Sequence, residues 1–152
     1  MKQDGRVWLL LCAWAVPALA LDQNGNQQSD VWEWQFGATG LVATADADGD
    51  GVNNAGESAA GTNPFDANSH PAVFTGSTKE RWPSISGKLY RVQGSTNLLE
   101  GWTNIALLAG TDAALSNALT GGGPGEFRRV RVENVDADGD GVSDWEELRM
   151  GF

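Results

Sequence analysis

Two separate stretches of the chain, residues 46–57 and 136–147, carry the same arrangement of acidic residues and glycines. Each has aspartate at its first, third and fifth positions, glycine at its sixth and glutamate at its twelfth. The carboxylates of such a tight turn would repel one another if no cation were present. The pattern therefore predicts two cation-binding loops, here called loop two (46–57) and loop three (136–147), and the fold must be one that can present them.

The spacing in these loops is typical of calcium sites. Calcium takes about six to eight oxygen ligands, and alternate positions deliver side chains to one side of the turn. The glycine supplies a positive φ, position seven offers a carbonyl, and position twelve closes the shell with both carboxylate oxygens. Magnesium fits less well because it gives up water reluctantly, and zinc would need Cys or clustered His. The predicted ligands are Asp46, Asp48, Asp50, Val52, Asn54 and Glu57 in loop two and Asp136, Asp138, Asp140, Val142, Asp144 and Glu147 in loop three.

A third stretch, residues 22–33 (loop one), follows the pattern more weakly. Asparagine replaces aspartate at positions three and five, and Gln27 stands where glycine is favoured. A non-glycine residue at positive φ costs on the order of 1 kcal/mol, and fewer carboxylates lower calcium affinity. Two interpretations remain open, a weak calcium loop or a turn that caps the following helix. In the first, the ligands would be Asp22, Asn24, Asn26, Gln28, Asp30 and Glu33.

Residue periodicity predicts a mainly β protein, a small antiparallel β-sandwich-like module with EF-hand-like calcium loops and short helices at both ends. A short helix follows each loop and ends at a glycine. Between loops two and three, alternating residues predict antiparallel strands, in which Tyr90 is grouped with Val92, Ile105 with Leu107 and Val130 with Val132. The predicted divisions are a signal peptide at 1–20, calcium-loop repeats at 21–70, a β module at 71–135 and a third calcium loop with its helix at 136–152.

The first twenty residues have the features of a secretory signal. A basic start precedes an apolar run at 7–16, which is too short to span a bilayer, and residues 18–20 have the small-x-small form that signal peptidase cuts. Cleavage after Ala20 would remove Cys12, the only cysteine, and leave no transmembrane segment. A small exported domain without disulfides needs another stabilising element, and a metal is the usual one. The signal-like segment predicts a secreted or cell-surface protein. The net charge of −10 argues against nucleic acid as a partner.

The continuation of loop two resembles a known family. From Glu57 to Asp66 the chain reads E-S-A-A-G-T-N-P-F-D, and this E-x-x-x-G-T-N-P-x-D run is similar to the bacterial thrombospondin type 3 repeat. The resemblance implies an extracellular calcium-binding spacer or stalk element, and it carries over to the ligand positions of loops two and three. The β segment is similar to small β modules found beside such repeats in secreted bacterial proteins, and we attach no defined function to it.

The EF-hand is a neighbouring family from which the sequence departs. A strand is predicted before loop three, where an EF-hand has an entering helix. Position eight is polar in all three loops (Ser29, Asn53 and Ser143), whereas paired EF-hands usually carry an apolar residue there. We therefore do not expect a calmodulin-like opening switch.

The sequence contains no recognisable catalytic set. A nucleophile–His–acid combination, a glycine-rich phosphate loop and a catalytic zinc signature are all missing from it. We therefore expect no enzymatic activity, and a role in which calcium rigidifies acidic loops against a β domain. One alternative is an adhesion or carbohydrate-binding module that uses Trp82 or Trp102 on cell-surface glycans or proteins, and another is the N-terminal part of a larger cell-surface enzyme. We expect His70 in a linker and three tryptophans in the core, namely Trp32, Trp34 and Trp145.

Overall fold

The computed structural model describes residues 20–75, 79–99, 101–118 and 126–152. These residues contain more strand (26%) than helix (18%), so the predicted mainly β class is confirmed. The predicted signal peptide lies outside the described residues except for Ala20. In chain order the elements are α1 (Asp30–Phe36), α2 (Asn54–Ala60), β1 (Phe74–Thr75), β2 (Lys79–Trp82), β3 (Lys88–Ser95), β4 (Thr103–Ala109), β5 (Leu115–Ala118), β6 (Phe127–Asn134) and α3 (Asp144–Met150).

Each helix begins at a polar N-cap and, as predicted, ends at a glycine. Ser29, Asn53 and Ser143 cap α1, α2 and α3 with side-chain oxygens that accept hydrogen bonds from backbone N–H groups of the first turn. The glycine after each helix adopts a left-handed conformation, which lets its N–H bond back to the last turn. The three N-cap residues stand at position eight of their loops. The polar residue that distinguishes these loops from paired EF-hands is therefore the residue that caps the following helix.

The strands of the described residues form two three-stranded antiparallel sheets, in the orders β1-β2-β5 and β4-β3-β6. Their inner faces meet in one hydrophobic cluster, to which β2 contributes Trp82 and the other sheet contributes Tyr90, Val92 and Val130. These side chains are at most 4% exposed. Truncation of such buried residues costs about 2–5 kcal/mol, so this cluster holds the two sheets together. The predicted grouping of Tyr90 with Val92 and of Val130 with Val132 is confirmed, because Val132 also packs against this cluster.

Strand β4 presents the opposite apolar face to the core. Ile105 and Leu107 share a face, as predicted, but they are 39% and 54% exposed. Ala106 and Leu108 pack against the cluster instead. Residues directly opposite each other in an antiparallel pair lie on the same face, and Leu108 is opposite the buried Tyr90. Both faces of β4 are apolar, so alternation alone could not choose between them.

A second hydrophobic cluster joins the amino-terminal loops to α3. Trp32 of α1 and Trp145 of α3 are 0% exposed and pack together with Val31 and Ala38. The Nε1 of Trp32 also donates to the carbonyl oxygen of Thr62, just after α2, at 2.6 Å. All three loop–helix segments thus contribute to one packed unit. The prediction that Trp34 lies in the core is wrong, because this residue is 74% exposed on the outer side of α1.

The turn before β3 packs directly against α3. Gly87 has a φ of 80°, and a Cβ added there would lie only 2.5 Å from the backbone N and Cα of Trp145. Only glycine allows both the left-handed conformation and this close approach. The turn therefore positions the β module against the helix that follows loop three.

Candidate metal centres

The first aspartate of each full loop holds the turn in place. Asp46 Oδ1 accepts from the N–H of Gly49 (2.7 Å) and Oδ2 from the N–H of Gly51 (2.9 Å). The Gly51 hydrogen bond is the main reason why the pKa of Asp46 lies below its usual value. Asp136 accepts from the equivalent glycines at 2.7 and 3.0 Å. Gly51 and Gly141 adopt φ of 97° and 96°, which the turns require. The hydrogen bonds to the first aspartate close each turn and bring the other carboxylates of the loop together.

Positions three and five of loop two each use one carboxylate oxygen for the backbone. Asp48 Oδ1 accepts from the N–H of Asp50 (3.2 Å), and Asp50 Oδ1 accepts from the N–H of Val52 (2.7 Å). One oxygen from each of Asp46, Asp48 and Asp50 lies within 4.8 Å of the others. The Oδ2 of Asp48 is buried and has no hydrogen-bond partner among the described residues. Three carboxylates gathered so closely could hold a metal ion, because hard cations prefer such oxygen ligands.

Glu57 closes loop two from the first turn of α2. Its side chain is 0% exposed. Thr62 Oγ1 donates to Oε1 at 3.3 Å, and Oε2 has no hydrogen-bond partner in the described part of the chain. Burial, followed by the charges of Asp48 and Asp50, raises the pKa of Glu57 to about 7. A buried carboxylate beside like charges is unfavourable as an anion, so a cation bound next to Glu57 would stabilise its charged form.

Loop three repeats these hydrogen bonds in a more open setting. Asp138 Oδ1 accepts from the N–H of Asp140 (3.3 Å), and Asp140 Oδ1 accepts from the N–H of Val142 (2.8 Å). One oxygen from each of Asp136, Asp138 and Asp140 lies within 4.8 Å of the others. Reduced hydration and the charges of the aspartates raise the pKa of Glu147. Loop three is therefore a second carboxylate cluster that could hold a metal ion.

Position nine is used differently in loops two and three. Asp144 Oδ1 accepts from the N–H of Ala137 at 2.8 Å, which ties the end of loop three to its start. Asn54 Nδ2 instead donates to the carbonyl oxygen of Val42 at 2.8 Å. The Oδ1 of Asn54 is buried, and it has no hydrogen-bond partner within the described ranges. Direct ligation by this oxygen, and by the carbonyl at position seven, stays a prediction from the spacing.

Loop one is closed by hydrogen bonds between its own side chains. Asn24 Oδ1 accepts from the N–H of Asn26 (3.0 Å), and Asn26 Oδ1 accepts from the N–H of Gln28 (2.8 Å), as the aspartates do in the other loops. These bonds fix the orientation of both amides. The Nδ2 atoms of Asn24 and Asn26 then donate to the two oxygens of Glu33, each at 3.0 Å. Two N–H donors thus stand where loops two and three have carboxylate oxygens.

This amide arrangement satisfies Glu33, which is 3% exposed, without a cation. Turning either amide round would give up a backbone hydrogen bond, and Gln27 already adopts a φ of 70° at the glycine position. Asp30 Oδ2 accepts from the N–H of Gln23 at 2.9 Å, and Gln28 Nε2 donates to the carbonyl oxygen of Leu41 at 2.9 Å. The geometry supports the interpretation of loop one as a capping turn for α1.

His70 lies beside loop two, a contact that the sequence did not predict. Its Nδ1 is 2.7 Å from the carbonyl oxygen of Ala67 and 3.3 Å from Asp50 Oδ2. A carbonyl oxygen only accepts hydrogen bonds, so Nδ1 carries the proton and donates it to Ala67, while Asp50 Oδ2 has no hydrogen-bond partner among the described residues. His70 in this tautomer is a neighbour of the cluster and not a metal ligand through Nδ1. Its position depends on the turns at 63–69, which no spacing rule connects to loop two.

The two carboxylate clusters lie in similar loop–helix segments, and each could hold a metal ion. The family model described as Bacterial TSP3 repeat matches residues 46–67 and 136–151. These segments contain loops two and three, so the predicted resemblance is confirmed, while loop one and the β module lie outside the match. No curated protein and no solved structure matches the chain. Among the described residues, no helix has the length and apolar character needed to cross a bilayer.

Proposed function

We propose that the chain is an exported structural module in which two calcium ions fix loops two and three against the β module. The observation that carries the proposal is the buried oxygen of Asp48 and that of Glu57, which have no hydrogen-bond partners among the described residues and belong to a cluster of like charges. Leaving a buried charged group unsatisfied costs about 1–3 kcal/mol or more, and a bound cation removes that cost. The family match at both loops supports the same conclusion.

Calcium is the cation that these donors fit best. Every predicted ligand is a carboxylate, amide or carbonyl oxygen. Calcium accepts about six to eight such oxygens in flexible geometry, whereas magnesium needs a tight octahedron and retains its water. Zinc prefers Cys and His ligands, and the Nδ1 of His70, the nearby histidine, is occupied by the carbonyl oxygen of Ala67. Extracellular calcium sites often bind at about 10⁻⁴–10⁻³ M, so calcium outside the cell would fill sites of this kind.

Calcium binding would stabilise the whole unit because each site leads into a packed helix. Glu57 is bonded to Thr62, whose carbonyl oxygen accepts from the buried Trp32. Loop three leads directly to Trp145, which is fully buried in the same cluster. The free energy of ion binding therefore adds to the free energy of folding. We propose a structural and not an enzymatic role, since the loop spacing already accounts for the clustered carboxylates.

Export is the second part of the proposal. The basic, apolar and small-x-small segments of residues 1–20 support cleavage by signal peptidase. Repeats of the matched type are typical of extracellular proteins. Loss of Cys12 with the leader leaves a chain whose stability cannot depend on disulfides. Calcium then takes the place that cross-links hold in many small exported domains.

A carbohydrate-binding role gains no support from the two tryptophans that suggested it. Trp82 is 2% exposed and belongs to the core between the sheets. The guanidinium of Arg129 covers one face of Trp102, with Cζ 4.1 Å from the ring centroid. A sugar-stacking platform needs an aromatic face that is open to solvent. We therefore keep the structural role as the single proposal.

Thermal unfolding in calcium, magnesium and chelator tests the proposal. Filling two sites to about 100 times their Kd contributes roughly 5 kcal/mol, which corresponds to a rise in Tm of roughly 10 °C or more over chelator. Magnesium should give a smaller rise. Asp48→Asn and Asp138→Asn should each remove part of the calcium effect. Asp66→Asn, at an exposed aspartate outside the loops, is the matched control and should leave the calcium effect unchanged. Identical melting in calcium and chelator would refute the proposal.

A further inference from the structure

A buried carboxylate on α3 contacts the backbone at the predicted cleavage site. Glu146 is 0% exposed. Its Oε2 accepts from the N–H and Oγ of Ser143 at 3.1 and 2.8 Å, which is the capping box of α3. Its Oε1 faces the other end of the described chain, where it accepts from Ser29 Oγ at 2.5 Å and from the backbone N of Leu21 at 2.9 Å. The capping role explains Oε2 but not the long-range contacts of Oε1.

Leu21 is held so that its nitrogen stays against Glu146. Its carbonyl oxygen accepts from the N–H of Asp30 at 2.6 Å. Its side chain packs against the cluster of Trp32 and Trp145. Leu21 is also the first residue after the predicted cleavage site at Ala20. The nitrogen that becomes the new amino terminus is therefore already positioned on a buried carboxylate.

The charge of Glu146 has no direct counter-ion among the described side chains. None of the ion pairs of the described residues includes Glu146. Lys88 is the nearby buried cation, but its Nζ donates to Asn134 Oδ1 at 2.6 Å and lies 4.5 Å from the centroid of the Trp145 ring. A buried carboxylate that is held only by neutral donors carries a large desolvation cost. A positive charge on the nitrogen of Leu21 would offset that cost directly.

We propose that cleavage between Ala20 and Leu21 creates an α-ammonium group that forms a buried ion pair with Glu146 Oε1 and thereby completes the fold. Hydrolysis of the peptide bond by a signal peptidase consumes one water, leaves a carboxylate on Ala20 of the released leader and leaves an ammonium on Leu21. The neutral N–H donor of the precursor becomes a charged donor at the same place. The mature chain is then more stable than the precursor, so the fold is favoured after processing. This inference rests on the export part of the proposed function.

Chains with chemically defined amino termini test whether the ion pair between Leu21 and Glu146 forms. Among the described residues, both hydrophobic clusters use only residues from Leu21 onward, so residues 21–152 contain all of these cluster members. Three forms are compared in saturating calcium near neutral pH: free Leu21, acetylated Leu21 and a chain that retains Ala20. Acetylation keeps the N–H donor and removes the charge, while Ala20 moves the charge one residue away. Both changes should lower Tm by at least about 5 °C.

The Glu146→Gln variant separates the ion pair from other effects of the terminus. In this variant, free and acetylated chains should melt within about 1 °C of each other, because the charge has lost its partner. If Glu146→Gln does not fold, the comparison of free, acetylated and Ala20-retaining chains decides alone. Equal melting of the free and acetylated chains, or an equal loss on acetylation in the Gln variant, would overturn the proposal.

Two readouts distinguish failure of the inference from failure of the proposed function. Mass spectrometry of the chain exported by a bacterium that expresses residues 1–152 should show Leu21 as the first residue. A different first residue would overturn the ion pair and leave calcium binding in place. Calcium titration of the acetylated chain should still give two sites. Loss of calcium binding in every form would instead contradict the proposed function.

Discussion

Glu57→Gln should change the stability of the protein in opposite directions with and without calcium. Burial and the charges of Asp48 and Asp50 raise the pKa of Glu57 from 4.5 to about 7. The folded, calcium-free chain therefore holds this proton more tightly than the unfolded chain. The contribution of Glu57 to stability is greatest below the unfolded value of 4.5 and is lost as the pH rises through about 7. The glutamine variant lacks this titration, so it should not show this loss.

The size of the effect follows from that pKa. One pKa unit is worth about 1.36 kcal/mol, so ionised Glu57 could cost the calcium-free fold up to about 3 kcal/mol above pH 7. Solvent around the exposed part of loop two, which includes Asp46, screens the neighbouring charges and reduces this to about 1–2 kcal/mol. Glutamine keeps the volume and can still accept from Thr62. In chelator the variant should therefore melt roughly 3–8 °C higher than the wild type.

Calcium should reverse the order of the melting temperatures of the variant and the wild type. At about 100 times the Kd, the ion in loop two contributes about 2.7 kcal/mol to the wild type. Glutamine cannot supply a bidentate carboxylate, so the variant loses most of this contribution and should melt below the wild type. Paired calorimetric melts at about pH 8, in calcium and in chelator, measure both differences. A variant that is less stable than the wild type in chelator, or equally stable in calcium, would show that this account of Glu57 is mistaken.

Glu33→Gln is the matched control at position twelve of loop one. Glu33 accepts from the Nδ2 atoms of Asn24 and Asn26. In the variant, the side-chain amide of glutamine would face the Nδ2 group of Asn24 or Asn26, so that two donors would meet. One charge-assisted hydrogen bond to the carboxylate would be lost. The loss should be about 1.5–3 kcal/mol, and it should be the same in calcium and in chelator. A calcium-dependent loss would indicate that loop one holds an ion.

Three further predictions concern loop one, the turn at Gly87 and the proton on Glu57. Asn24→Asp together with Asn26→Asp should add a third calcium site, measured by calorimetric stoichiometry, and should destabilise the calcium-free chain because new carboxylates would face Glu33. Gly87→Ala should cost about 2 kcal/mol or more in urea unfolding with or without calcium, because its Cβ would lie 2.5 Å from backbone atoms of α3 at a φ of 80°. Calcium binding near pH 6 should release about one proton from Glu57, whose pKa is about 7 without the ion, and the release should fade as pH rises. Titrations in buffers of different ionisation enthalpy measure that release.

The parts of the structure that could be predicted from sequence depend on neighbours along the chain. The positions of Asp46 and Gly51 follow from the turn they form, and Ser29 and Gly37 mark the ends of α1 through local hydrogen bonds. Alternation correctly placed Val92 in the core because its strand has one apolar and one polar face. Such signals span fewer than about ten residues, and the physical rules that produce them are equally local.

The features that escaped prediction depend on contacts between distant segments. Leu21 and Glu146 are 125 residues apart, and no composition or spacing rule connects them. Trp32 and Trp34 both lie in α1, and only the packing of α3 against this helix shows which tryptophan is buried. The closure of loop one could have been suspected from Asn24 and Asn26. The orientation of their amides nevertheless required the backbone hydrogen bonds.

Calorimetric titration of residues 21–152 with calcium is the most direct test of the central claim. The account predicts binding at two sites, loops two and three, with one site lost in Asp48→Asn and the other in Asp138→Asn. Loop one should add no third site, because its asparagine amides already satisfy Glu33. The absence of any binding heat, together with unchanged melting in chelator, would mean that the acidic loops are solvated turns and would contradict the account.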